Sequence, residues 1–157
     1  MATTTTRLRQ FVRAPRAAVY QALLDADAVA VWMVPSDMTG EVHVFEAREG
    51  GAFRISLTYN APTGAGKTTA HTDTYHGTFL TLVPDELVVE ALEFETDNEL
   101  MRGEMTVSFT LSAVDGGTDV LAVHANLPPG LAPDVNEAGW RLSLEQLARL
   151  VETGRQG

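Results

Sequence analysis

Apolar and polar residues alternate with period two through much of the middle of this chain. From Ala52 to Tyr59, Phe53, Ile55, Leu57 and Tyr59 fall on one face and Arg54, Ser56 and Thr58 on the other. Glu104–Ala113 repeats the pattern, with Met105, Val107, Phe109 and Leu111 against Thr106, Ser108 and Thr110. Strand side chains point alternately to the two faces of a sheet, so this pattern predicts an antiparallel sheet with one dry face. Turn chemistry at Glu49-Gly50-Gly51, Val83-Pro84-Asp85 and Asp115-Gly116-Gly117 divides Gly40 to about Leu127 into about six hairpin-linked strands.

Other periodicities frame this run. Arg7–Val12 alternates Leu8 against Arg7 and Arg9 and reads as a first strand, which makes seven. Pro15 suits the first turn of a helix, and Val19, Ala22 and Leu23 share one face of it at i, i+3 and i+4. A second short helical stretch, Asp27–Trp32, stops before Pro35. After Pro128, Pro129 and Pro133, a long helix over Asp134–Thr153 carries Trp140, Leu144, Leu147 and Val151 in one apolar stripe. The fold class is α+β: two short helices after the first strand, then a curved antiparallel sheet of six to seven strands around a long C-terminal helix. A pocket is expected where sheet and helix part. No internal repeat or linker divides the chain, so one domain over 1–157 is expected, with an ordered core of about 6–153.

The 157 residues include 11 basic and 21 acidic side chains, a net charge of −10. That balance argues against a nucleic-acid binder, which displaces counterions from phosphates with a basic face, and against docking on an anionic membrane. The absence of cysteine excludes disulfides, thiolate metal sites and cysteine nucleophiles. No apolar run approaches the ~20 residues of a membrane span. The opening MATTTTRLRQ lacks the charged-then-apolar order of a secretory signal, so the cytoplasm is expected. Ten of the eleven basic residues are Arg, with Lys67 the exception, which points to a GC-rich bacterial genome.

Ala61-Pro-Thr-Gly-Ala-Gly66-Lys67-Thr68 matches a relaxed phosphate-loop pattern. That mechanism needs a parallel strand before the loop and a helix after it, so that amides and helix dipole converge on phosphate. Strand-like sequence flanks this segment on both sides, and a flexible hairpin loop is the preferred reading. His71, Asp73 and Tyr75 alternate onto one strand face as a metal site would need, but exposed hairpin polarity is preferred, and no metal or cofactor is expected. Among the acidic residues from Asp85 to Glu104, Glu90 shares its face with Val88, Leu92 and Phe94 and is the one expected to point inward. Burial there would raise its pKa and make it an acid–base candidate. An inward charge of this kind also protects edge strands from pairing with other chains. His124 has the parity of Val120 and Ala122 and is the second acid–base candidate, against the plainer reading of a hydrogen-bonded core histidine. No nucleophile elbow, HExxH or dinucleotide-binding loop occurs, and no catalytic residue is assigned.

Val12-Arg-Ala-Pro-Arg-Ala-Ala-Val-Tyr-Gln-Ala-Leu-Leu-Asp25 followed by Trp32 resembles the opening of the activator of heat-shock protein 90 ATPase homologues. Gly50-Gly-Ala-Phe-Arg54, Gly77-Thr-Phe-Leu, Pro84-Asp-Glu-Leu-Val88, Gly117-Thr118, Val123-His124 and Gly139-Trp140 with Leu144 and Leu147 resemble later blocks, in order. The resemblance runs from about Thr6 to Glu152. It implies the START-like, birch-allergen-like helix-grip fold (the SRPBCC superfamily), with an apolar cavity between sheet and long helix. The leading expectation is binding of a small hydrophobic molecule there. The candidate walls are Trp32, Phe53, Ile55, Phe79, Phe109, Trp140 and Leu144, with Tyr75 and His124 as polar anchors. The alternatives are a cyclase, dehydratase or hydrolase using His124 or Glu90, and a chaperone ATPase cofactor acting through its acidic surface. A chaperone or a second copy of this chain stands as candidate macromolecular partner.

Overall fold

The computed structural model describes residues 4–34, 38–59 and 72–154. Seven strands, β1 (Thr6–Val12), β2 (Met38–Phe45), β3 (Ala52–Tyr59), β4 (Thr72–Val83), β5 (Leu87–Phe94), β6 (Met105–Val114) and β7 (Gly117–Ala125), form one sheet in the order β1-β7-β6-β5-β4-β3-β2. Every neighbouring pair is antiparallel. β2 to β7 follow one another as a meander, and β1 pairs with β7 at the far edge. The crossing between the two edges is made by α1 (Arg16–Leu23) and α2 (Ala26–Trp32), and α3 (Pro133–Gly154) closes the fold. This is the helix-grip arrangement that the alternation and the stripe on the last helix predict.

Register follows from which face is dry, because a one-residue slip would turn every apolar side chain outward. Leu8 and Val12 of β1, Phe53 and Ile55 of β3, Phe79 of β4, Val88 and Leu92 of β5, Met105 to Leu111 of β6 at alternate positions, and Val120 and Ala122 of β7 are all buried. Tight hairpins fix the pairing. Asp85 and Gly116 have φ of 64° and 84°, the left-handed backbone that such turns need. Bulges shift the register between Val42 and Val44 and between Phe79 and Thr81, where extra twist helps to curl the sheet.

Helix α3 lies along β1 and against α1 and α2, while α1 covers β5, β6 and β7 and α2 sits beside β2. Gln146 on α3 donates to the carbonyls of Trp32 (3.0 Å) and Val34 (2.8 Å), and the Trp32 indole donates to the Ala22 carbonyl at 2.9 Å. These bonds satisfy carbonyls at the C-terminal ends of both short helices, where no intrahelical donor remains.

Two expectations are corrected here. β5 is the fourth of seven strands, so edge protection does not account for Glu90. Asp73 is not exposed hairpin polarity: it is 2% exposed, on the inward face with Tyr75. The phosphate-loop motif and His71 lie outside the described residues, but the strands that flank them, β3 and β4, are antiparallel, without the strand-then-helix frame that phosphate binding uses.

Candidate functional site

Where the sheet curls away from α3, a cavity of about 290 Å³ remains. Its sheet side consists of Leu57 and Asp73 at the ends of β3 and β4, Tyr75 and Phe94 one pair further in, then Leu92 and Met105. Its helix side consists of Asn136, Gly139, Trp140 and Ser143 on α3, with Val135 and Leu131 at one end and Met33 and Met38 at the other. Gly139 keeps this wall low: a Cβ there would meet no atom within 4 Å.

Of the nine residues expected to line a ligand site, Tyr75 and Trp140 border this cavity. Trp32, Phe53, Ile55, Phe79, Phe109 and Leu144 are closed core residues behind the lining. Aromatic edges join the two groups. Trp140 lies 5.8 Å from Phe109 and 6.4 Å from Trp32, and Tyr75 meets Phe53 and Phe94 at 6.3 and 6.5 Å between ring centroids. Phe53, Ile55 and Phe109 have the inward strand parity that the alternation predicts. What parity does not carry is how far each helix stands off the sheet.

His124 is wholly buried and lies beneath Trp140, ring on ring at 4.6 Å, away from the lining. The Asn136 side-chain amide donates to its Nδ1 at 3.3 Å and to Thr6 Oγ1 at 3.0 Å, while Thr6 Oγ1 is 3.1 Å from the same Nδ1. An amide N–H donates, so Nδ1 carries the lone pair and Nε2 the proton. That Nε2 has no partner. Burial drives the ring's pKa down to about 4, so it is neutral near pH 7. The three residues thus pin the start of α3 to β1 and β7.

Glu90 stands in a cross-strand row with Phe79, Val107, His124 and Thr6, all facing inward. It is half-buried, and desolvation pushes its carboxyl up to about 8. The Tyr75 hydroxyl is buried without a partner, and burial, helped by the nearby Glu90, raises its pKa. On the outer face, Glu95 accepts from Arg54 at 2.8 and 3.0 Å and lies 3.0 Å from His76, and the paired guanidinium holds its carboxyl down at about 2. Among the described residues, no group of three His, Asp or Glu is placed to hold a metal ion, and no helix is long and apolar enough to cross a membrane.

Sequence reading missed Asp73, Asn136 and Ser143 as cavity polar groups. The signal for Asp73 was present in its parity with Tyr75. For Asn136 and Ser143 it was weaker: Asn136, Trp140 and Ser143 recur at i, i+4 and i+7, the face of α3 beside the apolar stripe.

Comparison with known proteins agrees with this geometry. The solved structure of protein CV1439 from Chromobacterium violaceum is 33% identical, with a TM-score of 0.85 over 94% of this chain and 96% of that one. An AHSA1-like protein from Aeromonas hydrophila, at 19% identity, superposes with a TM-score of 0.75 over 98% and 96% of the two chains. Protein NE0264 from Nitrosomonas europaea, at 20% identity, does so with 0.75 over 100% and 99%. At that identity the last two likenesses concern the fold alone. No curated protein matches the chain. The family model for Activator of Hsp90 ATPase homolog 1-like protein matches residues 13–152, and on that match the chain belongs to this family.

Proposed function

We propose that this protein binds a small apolar or amphipathic molecule between the sheet and α3. The observation that carries the reading is the cavity itself. It is walled by Met, Leu, Phe and Trp side chains with a few polar groups set among them, the composition of small-ligand sites. An unfilled apolar space of this size costs packing contacts that a ligand restores. His124 supports the same reading from the other side. It is covered by Trp140 and held by Thr6 and Asn136, so its role is to fix the wall rather than to shuttle protons.

Native mass spectrometry of the purified protein, with a thermal-shift screen of fatty acids, sterols and aromatic compounds, tests the proposal. A retained small molecule, or a stabilisation by one compound class that a Gly139→Leu variant abolishes, is expected. No retained mass and no shift with any class would refute it. A chaperone cofactor acting through its acidic surface, the alternative reading, would not use this cavity, so in an ATPase assay Gly139→Leu separates the two readings.

A further inference from the structure

The cavity has a polar inner end that no internal bond uses. Tyr75 Oη is buried with no hydrogen-bond partner, although Tyr75 lines the cavity and is only 5% exposed. Buried hydroxyls are almost always paired, so an orphan on a cavity wall marks where a missing partner belongs. Glu90 lies beyond it. Along β5 it is two residues deeper than Leu92 of the lining, roughly 7 Å. Its row neighbours Phe79, Val107 and His124 are completely closed, yet Glu90 keeps part of its surface accessible. That surface belongs to the inward face of a central strand, in one cross-strand row with Phe79, Val107 and His124. No hydrogen bond or ion pair reaches its carboxyl from any described residue. When ionised, Glu90 adds to the burial that raises the Tyr75 pKa, so the two groups lie within electrostatic reach of each other.

We propose that Tyr75 and Glu90 form a hydrogen-bonding pole at the inner end of the cavity that receives an uncharged acceptor oxygen of the ligand, such as a ketone or ester carbonyl. Burial keeps the carboxyl protonated near pH 7, so phenol and acid are both O–H donors on the inward face of the sheet. The rest of the lining agrees. Among the described residues, Asp73 is its only acidic side chain and no basic group lines it, so a carboxylate ligand would meet an acid and no cation from them. This inference rests on the cavity being the binding site and adds the class of ligand.

Three probes with the same ring system test it: naphthalene, 2-acetonaphthone and 2-naphthoate, titrated by calorimetry at pH 6.5. The ketone is expected to bind about tenfold tighter than naphthalene, the worth of one to two well-placed hydrogen bonds, and naphthoate more weakly than either. Tyr75→Phe and Glu90→Leu should each bring the ketone close to naphthalene, while Glu90→Gln, which keeps a donor, should retain most of the preference. Circular dichroism checks that each variant is folded. Equal binding of ketone and naphthalene, or a ketone preference that survives Tyr75→Phe, overturns the pole and leaves the cavity reading standing. If none of the three binds, the pole is overturned, while the cavity reading is decided by the mass-spectrometric and thermal-shift screen.

Discussion

Glu90→Gln replaces one carboxyl oxygen by an amide nitrogen and removes a titration while hardly altering shape. In the folded protein the Glu90 carboxyl titrates at about 8, against an ordinary value of 4.5. Below pH 4.5 it is protonated whether the chain is folded or not, and it contributes nothing to pH dependence. Between 4.5 and 8 the unfolded chain releases this proton and the folded chain keeps it, so stability falls as pH rises. Each unit of separation is worth about 1.4 kcal/mol. At pH 7 the wild type therefore gives up about 3 kcal/mol, and about 5 kcal/mol above pH 8, a large share of a domain's typical 5–15 kcal/mol. Glu90→Gln abolishes that loss. Urea unfolding at a series of pH values should give superposed stabilities near pH 4. The variant should be ahead by about 3 kcal/mol at pH 7, a melting difference of roughly 10 °C. The comparison isolates Glu90, because every other titration is common to both proteins. A stability difference of the same size at pH 4 and pH 8, or none at either, would refute the placement of this carboxyl in a desolvated interior.

His124 is the mirror case. Its pKa falls from 6.5 to about 4, so the wild type should lose about 3 kcal/mol as pH drops through that interval. His124→Phe should remove this acid loss while costing about 1–2 kcal/mol at pH 7, where Asn136 loses an acceptor. In acid unfolding curves, an unchanged slope in that variant would argue against a buried neutral ring. Trp140→Ala should cost about 3 kcal/mol, because Trp140 stacks on His124, Phe109 and Trp32, and should enlarge the cavity. Melting within two or three degrees of the parent would show that the ring carries no packing. Gly77→Ala should cost about 2 kcal/mol or more, since a Cβ there would collide with the Ala91 carbonyl and the Phe53 ring; calorimetry would check this.

Much of this architecture is legible in the sequence because period two is a local property. Counting alone places Phe53, Ile55, Phe109 and His124 on the dry face. The cavity was harder to read. Whether an inward residue meets another side chain or empty space depends on where α3 and the short helices land, which long-range contacts such as Gln146 to Trp32 decide. Phe53 and Phe79 look in sequence like Phe94, yet the first two are closed core and the third borders the cavity. Glu90 is instructive for another reason. Its inward parity was plain, but an edge strand would have made the charge ordinary, and only the sheet order shows the strand to be central.

Helix α3 is fastened along β1 and to the two short helices, whereas the β2–β3–β4 wing is braced mainly by its own ladder and by α2 beside β2. Mechanically this is a vice with one fixed jaw and one compliant one. Hydrogen exchange should register it as slow amides in β1, β6 and β7 and faster ones toward β2, with the gap narrowing once the space is occupied. On the ligand-binding proposal, such a grip would adapt its opening to the guest. It would accept a range of molecular thicknesses while discriminating sharply among the groups that reach its closed end.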